Sequence, residues 1–120
     1  MSATTHLQLR LKLAGGTAFG PGKAELLEHI AATGSISAAA RRMRMSYKRA
    51  WQLVDDMNGM FRATLVSTAA GGSKGGGASL TAAGTRVLDC YRTLQRKAEK
   101  AVQRELASFV RLAARVAAQS

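Results

Sequence analysis

The sequence predicts a single, mainly α-helical domain with a small β component, and three observations favour this fold class. Its 120 residues suit one domain with one modest core. Apolar residues make up 47% of the chain but aromatic residues only 5%, so the core must rely on Ala, Leu, Val and Met, which favour helices over a β-sandwich. After residue 20, apolar residues recur mostly at steps of three and four, as on one face of a helix.

The predicted β component lies at the N-terminus, in residues 7–20. Residues 7–13 read LQLRLKL, a strict alternation that places four leucines on one face. This pattern is typical of a half-buried strand. Gly15 and Gly16 then end the strand.

Residues 21–60 predict three helices that form a helix-turn-helix core. Pro21 sits where the first helix can begin, since proline tolerates the first turn, and Gly34 is a natural stop. Ser35 and Ser37 carry hydroxyls suited to capping a short second helix over residues 38–43.

The third helix follows a tight connection at Arg44 and Met45. Ser46 can cap this helix, which we expect to run to about Gly59 or Met60. Two short helices joined by a tight turn match a helix-turn-helix.

A β-hairpin is predicted in residues 63–80. Two β-prone stretches, residues 65–68 and 78–80, flank the run GGSKGGG at residues 71–77. Glycines allow a backbone to approach phosphate closely, and Lys74 adds a charge at the loop tip. Directly after a helix-turn-helix this hairpin indicates a wing, so the predicted fold is a winged helix-turn-helix.

Residues 81–118 predict one very long helix that Thr81 can cap. Its apolar residues follow steps near a coiled-coil repeat, at Val87, Tyr91, Leu94, Ala98, Ala101, Leu106, Phe109, Leu112 and Val116. A helix of about 35 residues would be about 50 Å long and could not bury this stripe against so small a body. A second copy of the chain is the simplest cover, so we expect a homodimer.

The charge balance limits the class of partner. Eighteen Lys and Arg oppose seven Asp and Glu, for a formal net charge of +11, which attracts polyanions such as nucleic acid or an anionic membrane. No run of about 18 apolar residues exists to span a membrane. The first six residues lack the basic and apolar regions of a signal peptide, so we expect a cytoplasmic protein.

The sequence offers little for metal or catalytic chemistry. Cys90 is the only cysteine, and His6 and His29 lie far apart, so neither a disulfide nor zinc spacing is present. Residues 16–23 faintly resemble a phosphate-binding P-loop, but the spacing is one residue too long and Ala24 replaces the required Ser or Thr. We therefore do not expect an enzyme.

The third helix has the features of a DNA-recognition helix. If its apolar residues face the core, Lys48 and Gln52 point directly away from it, with Tyr47, Arg49 and Trp51 on the flanks. Lys, Arg and Gln are side chains that read guanine and adenine edges in the major groove. Five basic residues within nine positions also need a counter-charge: Arg41, Arg42, Arg44, Lys48 and Arg49.

Several motifs together resemble the DNA-binding domain of the ModE family of molybdate-responsive transcription regulators. They are GSISAAA at residues 34–40, MSYKRAW at 45–51, DDMN at 55–58, the glycine-rich wing, and LTAAG at 80–84. The resemblance runs from about residue 18 to residue 94. It implies a dimeric winged-helix regulator that acts near molybdate transport or molybdoenzyme genes.

The resemblance also implies which parts of the chain do what. The long helix and the N-terminal segment would form the dimer, and the second helix, the third helix and the wing would contact DNA. The predicted DNA-binding residues are Ser35, Ser37, Arg41, Arg44, Ser46, Tyr47, Lys48, Arg49 and Gln52, with Ser73 and Lys74 in the wing.

One feature departs from the family pattern. Full-length members carry a C-terminal pair of small β-barrel domains that bind molybdate, whereas this chain stops at Ser120, within or just after its long helix. It resembles the single-domain branch, so we expect no cofactor, and molybdate is implied only by the resemblance.

Two alternative functions remain open at this point. The charge of +11 would also suit an architectural protein that binds DNA without regard to sequence. The second alternative is a module that senses an oxyanion or binds another protein. In such a module an arginine-lined dimer groove or the glycine-rich loop would bind the anion.

Overall fold

The computed structural model describes residues 5–69 and 77–119, except for the side chains of residues 114–119. Its elements, in chain order, are β1 (Leu11–Lys12), β2 (Ala18–Phe19), α1 (Pro21–Thr33), α2 (Ile36–Arg42), α3 (Tyr47–Met60), β3 (Val66–Thr68), β4 (Ala78–Leu80), α4 (Ala82–Ala101) and α5 (Gln103–Gln119). This mainly α-helical architecture with two small antiparallel sheets confirms the predicted fold class.

The N-terminal segment is a short hairpin rather than a seven-residue strand. β1 pairs antiparallel with β2, and the ladder joins only Leu11 to Phe19 and Lys12 to Ala18. The predicted strand is too long because its partner has only two residues before Pro21 opens α1. The alternation itself is confirmed, since the leucines of residues 7–13 are half-buried and the polar residues between them are exposed.

Both ends of α1 follow from single residues. Pro21 stands in the first turn, and Gly34 adopts the left-handed conformation, with φ of 71°, that ends the helix. The N–H of Gly34 donates to the Ile30 carbonyl at 2.8 Å, as expected for such a cap.

The second helix begins two residues earlier than predicted. Ser35, rather than Ser37, is its N-cap, and the Ser35 hydroxyl accepts the N–H of Ala38 at 3.0 Å. Arg44 adopts a left-handed conformation, with φ of 55°, in the tight turn before α3.

The third helix forms as predicted. The Ser46 hydroxyl accepts the Arg49 N–H at 3.0 Å and caps the helix. The predicted inner face is buried in full, at Ala50, Leu53, Val54 and Met57.

The wing is anchored at its base to the helices. β3 pairs antiparallel with β4 from Val66 opposite Leu80 to Thr68 opposite Ala78. Asn58, near the end of α3, accepts the N–H groups of Leu65 and Val66 at 2.9 and 3.0 Å. The Ala78 N–H donates to the Gly34 carbonyl at 2.9 Å, which joins β4 to the end of α1.

The core lies between the three helices, the two hairpins and the start of α4. Tyr91 closes it from the α4 side, and its ring packs edge-on against Phe19 with centroids 5.2 Å apart. The Tyr91 hydroxyl donates to the Leu9 carbonyl at 2.6 Å and thereby holds the N-terminal segment against α4. The buried apolar residues are Phe19, Ala24, Leu26, Leu27, Ile30, Ile36, Ala39, Ala40, Ala50, Leu53, Val54, Met57, Leu65, Val66, Ala78 and Tyr91.

The predicted long helix is divided in two, which corrects the expectation of one continuous helix. Thr81 caps α4, as expected, by accepting the Gly84 N–H at 3.0 Å. Val102, with φ of −110° and ψ of 17°, separates α4 from α5. A β-branched residue has lower helix propensity, and this one lies beyond the part of the helix that packs on the core.

The C-terminal helix projects away from the body, and the molecule measures 60 × 30 × 23 Å. Phe109 and Leu112 are 68% and 62% exposed. Val116 lies among the side chains outside the described part. None of the helices in the described ranges is long and apolar enough to cross a membrane.

Candidate nucleic-acid interface

The exposed side of α3 carries the two predicted base-reading residues. Lys48 and Gln52 are exposed, four residues apart, while Ala50 and Leu53 of the same turns are buried. The two polar side chains therefore share one outward stripe in the N-terminal half of the helix. Their role in DNA binding stays a prediction.

The basic cluster around this stripe is exposed and without ionic partners. Its members are Arg41, Arg42, Arg44, Lys48 and Arg49. The ion pair that the structure shows between α1 and α4 joins Glu28 to Arg92 at 2.6 Å and involves no member of this cluster. The cluster therefore keeps its full positive field toward solvent, where a polyanion can meet it.

Three of the four predicted serines lie in the described residues, and each has a local structural role. Ser35 and Ser46 use their hydroxyl oxygens as helix caps, although each O–H remains able to donate to a ligand. Ser37 accepts a hydrogen bond from the Arg41 guanidinium at 2.9 Å, one turn further along α2. Ser37 therefore positions Arg41.

An aromatic pair occupies the flank of α3 that faces the wing. Tyr47 is 55% exposed, and its ring lies edge-on to Trp51 with centroids 6.1 Å apart. The pair lines a cleft of about 230 Å³ with Ser35, Ser37, Thr68 and Gly77. Trp51 was not among the predicted site residues, although its spacing of four from Tyr47 places both on one helix flank.

The wing loop lies only partly within the described residues. Its ends are joined by the Ala69 N–H, which donates to the Gly77 carbonyl at 2.9 Å. The predicted contacts Ser73 and Lys74 lie outside the described residues.

Potential metal ligands and the thiol of the described residues can be located in the structure. No group of three His, Cys, Asp or Glu side chains there could hold a metal ion. Cys90 is an exposed free thiol on α4.

Comparison with known proteins connects this geometry to regulators. Residues 22–85 match the model of the bacterial regulatory helix-turn-helix proteins of the lysR family. The chain is 40% identical over 105 residues to the molybdenum transport protein ModE of Azotobacter vinelandii, covering 87% of this chain and 39% of that protein. It is 42% identical over 96 residues to the DNA-binding transcriptional dual regulator ModE of Escherichia coli K12, covering 80% of this chain and 37% of that protein.

A third relative and one solved structure are also similar to this chain. The molybdenum-pterin-binding protein MopB of Rhodobacter capsulatus is 44% identical over 94 residues, covering 78% of this chain and 33% of that protein. The chain thus spans only about a third to two fifths of these relatives' length. The crystal structure of the CbnR DNA-binding domain with DNA matches 72% of this chain and 94% of that chain with a TM-score of 0.55 and 22% identity, which supports the winged fold. The predicted resemblance to the ModE family is confirmed.

Proposed function

Because this chain belongs to the bacterial regulatory helix-turn-helix proteins of the lysR family, we propose that it is a sequence-specific transcriptional regulator, not an enzyme. Its target is double-stranded DNA in the cytoplasm. The observation that carries the proposal is the outward stripe of Lys48 and Gln52, set among exposed arginines that lack carboxylate partners.

The proposed mechanism places the N-terminal half of α3 in the major groove. Lys48 can donate to the O6 and N7 acceptors of guanine, and the Gln52 amide can pair with N6 and N7 of adenine. Arg41, Arg44 and Arg49 then contact phosphates on either side. Phosphate contacts fix the register of the protein on the duplex, and base contacts supply the specificity.

The names of the relatives support a proposal about the target genes. Two of them are named for molybdenum transport and molybdenum-pterin binding, and a third is named as a transcriptional regulator. We propose that this chain controls genes of molybdate transport or of molybdoenzymes. The mechanism of DNA binding requires no cofactor in this chain.

A homodimer is the proposed assembly. α5 presents Phe109 and Leu112 to solvent, and Leu94 of α4 is also exposed. Such an apolar stripe on a projecting helix is unfavourable in water unless a second helix covers it. A second copy of the chain offers the same stripe, as a two-fold interface requires.

The test of sequence reading is the double variant Lys48→Ala, Gln52→Ala. We expect it to lose discrimination between a preferred site, found by in vitro selection, and random DNA, by about 1–3 kcal/mol for each base contact. Competition binding at fixed salt measures this ratio. Lys97→Ala, which removes an exposed charge from α4, should leave the ratio unchanged.

A non-specific architectural binder is the alternative that the charge of +11 supports. In that case the wild-type chain would bind the selected site and random DNA equally, and only salt would change its affinity. Equal affinities would therefore exclude the regulatory function.

A further inference from the structure

A cationic cleft lies beside the recognition helix, on the side away from the wing. It has a volume of about 380 Å³ and is bounded by the N-terminal hairpin, the first turn of α1 and the N-terminal half of α3. Each of these three elements contributes one basic side chain, namely Arg10, Lys23 and Arg49. We call it the α1 cleft.

The fold holds one of these cations in place. The Lys23 ammonium donates to the Ala18 carbonyl at 2.6 Å, which leaves two of its three N–H donors for a ligand. Arg10 lies close to Gly20, the residue before α1, since a Cβ added at Gly20 would be 3.6 Å from the Arg10 Cγ. The cleft is open beside Gly22, since a Cβ added there would meet nothing within 4 Å.

No acidic residue is among those that line the cleft. The first turn of α1 contains no acidic residue. Further along α1, the Glu28 carboxylate accepts two hydrogen bonds from Arg92 of α4. This pairing raises the pKa of Arg92, and the charge of Glu25 adds to the effect. The residues that line the cleft therefore carry a net positive charge, which an anion can neutralise.

The α1 cleft is continuous with the proposed DNA interface, because Arg49 adjoins Lys48 on α3. We propose that this cleft binds one phosphodiester group of the DNA backbone, next to the stretch of major groove that α3 reads. This inference rests on the proposed function. A phosphodiester fits because it carries a single negative charge and presents oxygen acceptors to donors from three directions. Arg10 and Lys23 are thereby assigned a binding role, in addition to the residues predicted from the sequence.

The test uses Arg10→Gln, with Lys12→Gln as the matched control. Both variants remove one positive charge from exposed residues of the same hairpin, but only Arg10 lines the cleft. We expect Arg10→Gln to weaken binding to the selected site and to random DNA by the same factor. The slope of log affinity against log salt should become shallower by about 0.9 for each protomer, and Lys12→Gln should leave it unchanged.

Three results would overturn the inference. One is an unchanged slope in both Arg10→Gln and the double variant Arg10→Gln, Lys23→Gln, with thermal melting used to show that each variant is folded. The second is an equal effect of Lys12→Gln, which would indicate a diffuse field instead of a site. The third is calorimetric binding of inorganic phosphate that DNA does not displace.

The outcomes also separate this inference from the proposed function. A shallower slope in Arg10→Gln, with no preference of the wild type for any sequence, would support the cleft and exclude sequence reading. A clear sequence preference of the wild type, with an unchanged slope in Arg10→Gln, would support sequence reading and exclude the cleft as a phosphate site.

Discussion

Two side chains, Asn58 and Tyr91, connect parts of the chain that are distant in sequence. Asn58 joins the last turn of α3 to β3, and Tyr91 joins α4 to the N-terminal segment. Each pairs with backbone groups of the distant segment, and these hydrogen bonds help to hold that segment in place. Their substitution tests how strongly single hydrogen bonds hold this small domain together.

For Asn58→Ala we expect a loss of about 1–3 kcal/mol in the free energy of unfolding, because the N–H groups of the buried residues Leu65 and Val66 lose their acceptor. Asn58→Asp keeps an acceptor oxygen and should lose less. Urea denaturation measures both. Equal losses in the two variants would contradict this account of Asn58.

For Tyr91 the prediction concerns pH. Burial raises the pKa of Tyr91 above its ordinary value of 10.0, and the positive charge of Arg92 opposes this only in part. Since the folded state retains the proton longer than the unfolded chain, stability is complete below about pH 10 and falls as pH rises beyond it. We expect Tyr91→Phe to lose about 0.5–1.5 kcal/mol at pH 7 and to show a smaller alkaline loss than the wild type. Urea denaturation between pH 8 and about pH 11 measures the difference, and parallel curves would contradict the prediction.

For single residues, the sequence predicts which side chains point outward from a helix better than it predicts contacts between elements. Lys48 and Gln52 could be placed because the apolar period of α3 determines its outer face. Arg10 and Lys23 could not, because their convergence on Arg49 depends on how the N-terminal hairpin folds against α1. The predicted DNA-binding role of Ser35 and Ser46 stays a prediction, while their capping role is observed.

Among the elements, helix boundaries were predicted best where one residue type determines them. Pro21, Gly34, Ser46 and Thr81 all act at the expected ends. The second helix begins two residues before the predicted start. Both Ser35 and Ser37 could cap it, and the local sequence does not determine which of them does. The first strand is shorter than predicted, because its length depends on the strand that pairs with it.

The close approach of α4 to Leu65, the residue before β3, leads to a paired prediction for two helical glycines. A Cβ at Gly84 would overlap the Leu65 carbonyl oxygen, whereas a Cβ at Gly59 would meet nothing within 4 Å. We expect Gly84→Ala to destabilise the fold by about 1–3 kcal/mol, because the clash is with backbone. Gly59→Ala should be neutral or stabilise by up to about 1 kcal/mol, since alanine favours a helix. Thermal melting of both variants measures these changes in stability. A Gly84→Ala protein as stable as the wild type would contradict the close approach of α4 to Leu65.

The whole molecule combines a compact body with a projecting apolar helix, and this shape leads to the prediction about assembly. We expect Phe109→Glu, Leu112→Glu to be a folded monomer, because the charges prevent burial of the α5 stripe. Ala107→Glu adds a charge to an exposed position on the opposite side of α5 and should remain dimeric. Sedimentation equilibrium measures the mass, and a monomeric wild type or a dimeric double variant would contradict the proposal.

The division of the long helix at Val102 has a consequence on the DNA itself. In a dimer joined through α5, the direction that α5 takes after Val102 determines the distance between the two copies of α3. B-DNA presents the same face of its major groove about every 34–36 Å, or 10–10.5 base pairs. Replacing Val102 with alanine, which favours a continuous helix, should therefore change the half-site spacing that the dimer accepts while the bases read in each half-site stay the same. Selection from DNA libraries with varied spacers would detect the change.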